Sequence, residues 1–482
     1  MRAPRLPLLL ALAAAVLVVA TLALRGGDGD PPPAVTAPSA GLPDRDPLAW
    51  TPERSGDYAA RAAAGLAHPL YALTADGVEL AAERTDALRD DVERAARAHG
   101  VDPDTLEAIV FLESAGRPEA QASDDLAGAV GLGQILAETA TGLLDMRVDL
   151  AASRRITRRM VRAAERGDAE EVERLRAERR EVDERFDPIA SLDGAARYLA
   201  YARGELGRDD LAIASYHMGV GNLQHALELY GEGTVPYVQL FFDSTPTRHA
   251  GAWEFLFDLG DDSATYLWRV EAGREIMRLY REDPDRLAEV DALMNERNSA
   301  EVALHPADSI DAYDDADELD EAYADGELVP LPTAYLAHHG IRVDRRMGEL
   351  ASHLHRDPEA YRGLRREALA TLAYIGASVY DISGAGKPLR VTSTVRDGDY
   401  QEALRGVNGE ATEDYSLHTT GYAFDIARDY ASTAQAVAFQ SVLDRLTALN
   451  LIAWVREPGA IHVTVSADAA RLIEPMGVVG AE

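Results

Sequence analysis

The chain has 482 residues, of which 47% are hydrophobic, so its size and composition predict two globular domains with tethers and exclude general disorder. The formal net charge of −34 argues against duplex nucleic acid or anionic lipid as the main partner, since both repel an acidic surface. There is no cysteine, which excludes disulfides, thiolate metal ligands and cysteine nucleophiles. Any metal must therefore be held by histidine and carboxylate groups.

The first 25 residues predict an export segment. Arg2 and Arg5 precede an almost uninterrupted apolar run from Leu6 to Leu24. A positive start followed by such a run places the rest of the chain outside the cytoplasm. The run is close to the ~20 residues that span a bilayer. Because no small-x-small cleavage site ends it, we expect an anchor in the inner membrane rather than a removed signal peptide, with the protein in the cell envelope or periplasm. Cleavage of the segment would instead give a secreted protein.

Composition divides the next part of the chain. Residues 26–54 are rich in Pro, Gly and Asp and predict a linker. Helical periodicity dominates residues 55–300 and predicts a mainly α domain. Within it, the highly charged residues 154–186 predict an inserted, solvated helical hairpin.

Residues 301–332 are dense in Asp and Glu and predict a second, acidic linker. Residues 333–482 predict a second domain, whose strand-rich core spans 386–470. We therefore expect a multi-domain protein, with a mainly α domain followed by an α+β domain that contains a small antiparallel sheet.

The first candidate catalytic group is Glu113. Asp102 and Pro103 predict a helix start, an N-cap residue followed by proline at the first helical position. Ile109 and Val110 precede Glu113 at helical spacing, so the carboxyl shares their apolar face. Burial there raises the pKa of a carboxyl, as general-acid catalysis requires. The alternative is a glutamate satisfied by local hydrogen bonds at a helix end.

Two glycine-rich segments follow this helix. They read G-A-V-G-L-G-Q from Gly128 to Gln134 and S-Y-H-M-G-V-G-N from Ser215 to Asn222. They come after the E-S pair Glu113-Ser114. Motifs in this order, over about residues 90–285, resemble the lysozyme-like domain of soluble lytic transglycosylases, which are related to goose-type lysozyme. The resemblance implies that domain's helical fold.

The same resemblance implies roles for single residues. Glu113 corresponds to the catalytic acid, Gln134 lines the cleft, and Tyr216 positions or polarises groups near the acid. Glu113 is then expected to protonate the bond between N-acetylmuramic acid and N-acetylglucosamine, and to accept the proton of the sugar's own C6 hydroxyl. The product is a 1,6-anhydro sugar. Asp124 and Asp125 leave a lysozyme-like hydrolase open, because either carboxylate can position a water.

The second constellation combines His418, Asp425 and His462. Asp425 and His462 alternate with bulky apolar residues in segments that predict strands, so both leave the apolar face. His418 precedes the first strand, and a Pro-Gly turn before the second brings Glu457 to the edge of the sheet. Two imidazoles and a carboxylate with a fourth position open are typical of catalytic zinc, and Glu457 is the candidate base. A histidine held by hydrogen bonds in a strand is the alternative.

Three motifs carry a second resemblance. They are S-x-H-x-x-G-x-A-x-D at residues 416–425, H-V at 462–463 and L-R-V-T-S-T-V-R at 389–396. Over about residues 386–470 they resemble the zinc D-alanyl-D-alanine carboxypeptidase superfamily, peptidases that cut the stem peptides of the cell wall.

This second resemblance implies one Zn²⁺ on His418, Asp425 and His462. It implies that Arg396 holds a carbonyl or carboxylate of the substrate. The chain departs from the family at the base, because the family usually has E-x-x-H and Glu457 lies further from His462.

Together the two resemblances imply an exported, bifunctional peptidoglycan hydrolase, with glycan strands and stem peptides as partners and no nucleic acid. Three alternatives stay open. In the first, the C-terminal domain is a non-catalytic zinc-binding module that recognises the wall. In the second, the first domain is a lysozyme-like hydrolase, and in the third the protein is a scaffold in which neither site turns over.

Overall fold

The computed structural model describes residues 41–42, 46–406 and 415–478, which belong to one compact unit. A helical region is followed by a C-terminal region that combines helices with a five-stranded sheet, so the predicted order of a mainly α part and an α+β part is confirmed. The anchor predicted for residues 1–25 lies outside the described residues. Among the residues that are described, no helix is long and apolar enough to cross a membrane.

The helices of the first region, as far as the structure describes it, are α1 (Ser55–Gly65), α2 (His68–Leu73), α3 (Val78–Asp86), α4 (Arg89–His99), α5 (Pro103–Ser114), α6 (Ala137–Gly142), α7 (Leu150–Glu165), α8 (Ala169–Val182), α9 (Pro188–Leu206), α10 (Asp209–Met218), α11 (Val220–Tyr230), α12 (Tyr237–Asp243), α13 (Ala250–Asp258), α14 (Tyr266–Glu282) and α15 (Pro284–Asn295).

Helix α5 lies at the centre of this region. It begins as predicted, because the Asp102 carboxylate accepts a hydrogen bond from the backbone N–H of Thr105 and proline opens the first turn. Most of its apolar side chains are fully buried, and the helix packs against α4, α9 and α14. Gly273 of α14 faces it, at a position where a Cβ would lie in ordinary contact, 3.5 Å from the Cβ of Ala108. The helix that carries Glu113 is therefore held on several sides.

The charged residues 154–186 lie mainly in a helical hairpin of α7 and α8, joined at Gly167, whose φ of 72° suits glycine. Most of its charged side chains are exposed or half-buried and pair with one another. Its last part is not solvated, because Arg179 is buried over the ring of Phe186, 3.6 Å from the ring centroid.

Arg185 ties the end of this segment to the glycine-rich loop. The side chains of Arg185 and Asp183 are fully buried and pair at 2.9 Å. The guanidinium also donates to the backbone carbonyl oxygens of Leu126 (2.7 Å), Gly128 (3.1 Å) and Ile135 (3.2 Å). One arginine thus satisfies three carbonyls of a loop that otherwise lacks regular structure.

The elements of the C-terminal region, within the described residues, are α16 (Glu301–Leu304), α17 (Ala316–Ala324), β1 (Leu328–Pro330), α18 (Thr333–His338), β2 (Ile341–Val343), β3 (Gly363–Arg365), α19 (Arg366–Ser383), β4 (Leu389–Ser393), α20 (Gly398–Arg405), β5 (Ala423–Ala427), α21 (Thr433–Ala448), β6 (Ile452–Arg456) and β7 (Ala460–Val465).

The main sheet is mixed, with strand order β2-β4-β5-β7-β6. Its last four strands are antiparallel, as expected, but β2 adds a parallel edge strand to β4. The chain returns from β2 to β4 through α19, and such a crossover makes two neighbouring strands parallel. A three-residue strand gives too little alternation to be found from the sequence. Strands β1 and β3 form a separate antiparallel pair.

Residues 301–332, predicted as an acidic linker, contain α16, α17 and β1. Their acidic side chains are mostly exposed, whereas Leu319 and Leu328 are buried with Tyr313 in a small apolar cluster. A few apolar residues at helical spacing are enough to dock a helix whose other faces are charged.

The two regions share one hydrophobic core. Its largest cluster contains Tyr58 and Trp268 of the helical region together with Phe424 and Leu446 of the C-terminal region. Arg445 of α21 donates to the carboxylate of Asp46 at 2.7 Å and to the backbone oxygen of Leu48. The end of the segment predicted as a linker, residues 26–54, therefore packs on the C-terminal region. The domain boundaries stay a prediction.

We expect the substitution Arg185→Met to destabilise the protein by about 3–5 kcal/mol, because it leaves the buried Asp183 carboxylate without its cation. Urea unfolding followed by circular dichroism measures the loss. Arg155→Met is the control, since Arg155 is exposed on α7 and should change the free energy of unfolding by no more than about 0.5 kcal/mol. Equal stability of the two variants would contradict the assignment.

Candidate active site and metal centre

Glu113 occupies the last turn of α5 and is half-buried. The helix ends at Ala115, whose φ is 52°, and Gly116 follows at 69°. A Cβ on Gly116 would lie 2.7 Å from the backbone N of Thr85, so this sharp turn requires glycine. The Tyr266 hydroxyl donates a hydrogen bond of 2.6 Å to Glu113 Oε1.

Burial raises the pKa of Glu113 to about 7, although the hydrogen bond from Tyr266 and the charge of Arg269 act in the opposite direction. Desolvation is the dominant cause because it disfavours the charged carboxylate. A carboxyl group with this pKa keeps a large protonated fraction near neutral pH, which suits a general acid.

Two tyrosines stack beside this carboxyl. The rings of Tyr216 and Tyr266 are nearly parallel, with centroids 6.1 Å apart and an interplanar angle of 7°. The Tyr216 hydroxyl donates to the backbone oxygen of Gly133 at 2.7 Å, so among the described hydrogen bonds it is Tyr266 that holds the Glu113 carboxylate. Tyr216 nevertheless lies near Glu113, whose charge and the burial of the ring raise the pKa of Tyr216.

Gln134 lies in the glycine-rich loop with a φ of 46° and is half-buried. Its Nε2 donates to the backbone oxygens of Gly131 (2.9 Å) and Ala120 (3.3 Å). A Cβ on Gly133 would approach the Tyr216 hydroxyl to 2.9 Å. The structure therefore brings the Gln134 loop against Tyr216 through the backbone of Gly133, while the position of Gln134 in a substrate cleft stays a prediction.

Asp124 and Asp125 are the two carboxylates that would position a water in the alternative, a lysozyme-like hydrolase. Both are exposed. Asp125 accepts a hydrogen bond from the backbone N–H of Ala127 and pairs with Arg154 at 2.7 Å. Its carboxylate is thus engaged with a cation of the helical hairpin.

Tyr266 also belongs to this site, although neither the local sequence pattern nor the resemblance assigns it a role. It opens α14 and lies 153 residues from Glu113 in the chain, so no local pattern connects the two. His217 supports its ring, since the two rings stack with centroids 5.4 Å apart and His217 Nδ1 lies 2.8 Å from Ser263 Oγ.

The second site brings together the three predicted metal ligands. His418, Asp425 and His462 are buried, and one ligand atom of each lies within 4.8 Å of the others. Asp425 on β5 is directly opposite His462 on β7, so both side chains leave the same face of the sheet. His418 comes from a 3₁₀ turn, Leu417–Thr420, just before β5.

The geometry of His418 favours a cation in this cluster. Its Nδ1 lies 2.7 Å from the backbone oxygen of Thr394, and because a carbonyl only accepts, Nδ1 must carry the proton. Burial lowers the pKa of His418 to about 4, so Nε2 presents a lone pair to Asp425 Oδ1 at 3.3 Å. Two facing lone pairs repel unless a cation lies between them, and these donors therefore fit a metal ion.

Asp425 carries the negative charge of the cluster. Burial alone would raise its pKa, but the interactions of the His418 and His462 imidazoles with the carboxylate outweigh this effect, so the pKa of Asp425 lies well below its usual value. His462 Nδ1 lies 2.9 Å from Asp425 Oδ1. A charged carboxylate between two imidazole nitrogens is a suitable donor set for zinc.

Arg396 lies beside the cluster at the end of β4. Its Nη2 donates to Ser393 Oγ at 2.8 Å and, more weakly, to Asp425 Oδ2 at 3.5 Å, while Nη1 donates to Gln401 Oε1 at 3.0 Å. Its Nε is buried and has no hydrogen-bond partner within the described part of the chain. The guanidinium is therefore near the candidate metal ligands, and its contact to substrate stays a prediction.

Glu457 follows β6 and is half-buried. Val455, two residues earlier, lies opposite His462, so Glu457 continues the strand face that carries the cluster. Its charge contributes to raising the pKa of His462, against the larger effect of burial. Its role as the base stays a prediction.

Glu301 also reaches this site, although the sequence places it in a linker. It is 4% exposed, and its Oε2 lies 3.7 Å from His462 Nε2. No periodicity or motif marks this contact, because α16 is a single turn whose docking against β6 and β7 depends on the tertiary fold.

Comparison with known families bears on the first site. Residues 163–234 match the family described as Transglycosylase SLT domain. The matched segment includes Tyr216 and the second glycine-rich segment, whereas Glu113, Gln134 and the C-terminal region lie outside it. No curated protein matches the chain significantly. Residues 163–234 of the helical region thus match a transglycosylase SLT domain, and this match implies lytic transglycosylase activity on peptidoglycan. The C-terminal α+β region has a buried His-Asp-His group of unassigned family.

Proposed function

We propose that this protein is an exported, bifunctional peptidoglycan-degrading enzyme, in which Glu113 cleaves glycan strands and the His-Asp-His centre cleaves wall peptides. The observation that carries the proposal is the half-buried Glu113, held by Tyr266 with its pKa raised to about 7, in a helical region that matches a transglycosylase domain. An export segment at residues 1–25 would bring both sites to the wall.

In the first reaction, protonated Glu113 gives its proton to the oxygen of the bond between N-acetylmuramic acid and N-acetylglucosamine. The resulting carboxylate then takes the proton of the C6 hydroxyl as that oxygen attacks the anomeric carbon, which gives a 1,6-anhydro end. The carboxyl is regenerated without water. Tyr266 stabilises the carboxylate between the two steps, because its hydroxyl donates to Oε1.

A lysozyme-like hydrolase is the alternative for the same site. It needs a second carboxylate to position or activate water. Asp125 is exposed and tied to Arg154, an arrangement that favours the single-carboxylate reaction.

For the second reaction, His418, Asp425 and His462 would hold one Zn²⁺, which polarises a carbonyl and lowers the pKa of bound water when present. Glu457 would accept a proton at its carboxylate, and Arg396 would hold a carbonyl or carboxylate of the peptide. The observation that favours this function is the His418 lone pair that faces the Asp425 oxygen. A non-catalytic, zinc-binding module that recognises the wall is the alternative.

We expect Glu113→Gln to reduce the release of glycan fragments from purified sacculi by about 10²–10⁴-fold, since the amide cannot donate a proton as an acid. Mass spectrometry of the products measures the loss of 1,6-anhydro ends. Glu138→Gln is the matched control, because Glu138 is exposed on α6 near the same loop. Undiminished release by Glu113→Gln would exclude Glu113 as the acid, and products without anhydro ends would favour the hydrolase.

The rate of glycan cleavage should fall as the pH rises through about 7, because only the protonated form of Glu113 acts as an acid. Tyr266→Phe removes a hydrogen bond that lowers the pKa of Glu113, so the alkaline limb should move to higher pH. Profiles of kcat/KM against pH test this. Tyr201→Phe, at an exposed tyrosine, should leave the limb in place, and a downward shift in Tyr266→Phe would contradict the argument.

We expect the purified protein to bind one zinc ion and to release shortened or uncrosslinked peptides from sacculi in a reaction that a chelator stops. Glu457→Gln should retain the zinc but lose peptide release, and Glu474→Gln, at an exposed glutamate, should retain both. Elemental analysis and mass spectrometry give the two readouts. Zinc binding without peptide release by the unmodified protein would favour the wall-recognition module.

A further inference from the structure

The outer nitrogen of His462 faces a second carboxylate. His462 Nδ1 points to Asp425, so it is the nitrogen placed to bind a metal, and Nε2 points away from the cluster. An imidazole that binds metal through Nδ1 must carry its proton on Nε2. That N–H needs an acceptor, because a donor buried without a partner is destabilising.

The Glu301 carboxylate lies near this N–H. Its Oε1 accepts a hydrogen bond from Arg297 Nη1 at 3.1 Å, whereas Oε2 is buried and has no hydrogen-bond partner among the described residues. This Oε2 lies 3.7 Å from His462 Nε2. Thr464 Oγ1 lies 3.2 Å from the same nitrogen, within hydrogen-bond distance.

We propose that Glu301 is the positioning residue of the metal centre: its buried carboxylate attracts the Nε2–H of His462 across 3.7 Å, beside the hydrogen bond between that nitrogen and Thr464, and fixes the ring with Nδ1 towards the metal. The proposal rests on the zinc site put forward above. It assigns Glu301 neither as a ligand nor as the base, because Oε2 faces the nitrogen on the far side of the imidazole from Asp425. Carboxylates in this position orient metal-binding histidines and raise their basicity.

The segment that carries Glu301 is built to hold it there. Arg297 donates to Glu301 Oε1 and, through Nη2, to the backbone oxygen of Tyr415. His305 Nε2 lies 2.6 Å from the backbone oxygen of Val465, and its ring stacks on Tyr422 with centroids 4.1 Å apart. The segment therefore contacts the chain just before His418 and just after His462. It connects the last helix of the helical region to the candidate metal centre.

The test is the affinity for zinc of the full chain with Glu301→Gln, measured by competition with a chromophoric chelator. The amide keeps the shape of the side chain, but it presents a donor either to His462 Nε2–H or to Arg297, so one contact is lost. We expect the Kd for zinc to rise about 10–100-fold. We also expect the visible spectrum of the Co²⁺-loaded protein to change, which a loss of stability alone would not cause. Glu296→Gln, at an exposed glutamate on the same segment, should leave both unchanged.

The outcomes separate this inference from the peptidase proposal. If the unmodified protein binds zinc and Glu301→Gln binds it equally well with the same Co²⁺ spectrum, the positioning role is wrong and the metal site stands. Loss of affinity in Thr464→Val without loss in Glu301→Gln would assign the acceptor to Thr464 instead. A protein that binds no zinc at all overturns both proposals. If Glu301→Gln does not fold, Glu301→Asp, which keeps the charge but withdraws the oxygen, should show the same loss of affinity.

Discussion

Desolvation of carboxylates is the constraint on which both sites depend. A carboxylate taken out of water must find a cation or bind a proton, and this chain uses both solutions. Glu113 has a tyrosine hydroxyl as its partner, and its pKa rises to about 7. Asp425 lies between two histidines and near Arg396, and its pKa stays well below the usual value. The same physical cost thus produces a candidate acid in one region and a candidate metal ligand in the other.

The charged hairpin α7–α8 contributes to the first site through the chain that follows it. The charged side chain of Arg185 is buried and forms an ion pair with Asp183. It also donates hydrogen bonds to backbone carbonyl oxygens of the Gln134 loop. Gly133 of that loop then receives the Tyr216 hydroxyl. A segment whose composition suggests only a solvated surface therefore fixes the backbone of the Gln134 loop.

The helical and α+β regions are not separated by an extended linker in the described residues. They share a hydrophobic cluster, and Arg445 joins the two through Asp46. The acidic segment between them contributes buried apolar residues and the Glu301 carboxylate. Because this segment belongs to the folded unit, a substitution in it is able to change the metal centre without touching a ligand.

The sequence by itself determined the order of a helical and an α+β region, the helix start at Asp102 and the three residues of the metal cluster, since periodicity, capping and strand alternation are local signals. Tyr266, Arg185 and Glu301 were decided only by the tertiary structure, which also added β2 to the sheet as a parallel strand. Each of those three side chains contacts a partner distant in the chain, or is stabilised in its buried position by contacts that the spacing of residues along the sequence does not predict. Local sequence patterns specify helices and strands, whereas the partner of a buried charge is determined when these helices and strands pack together.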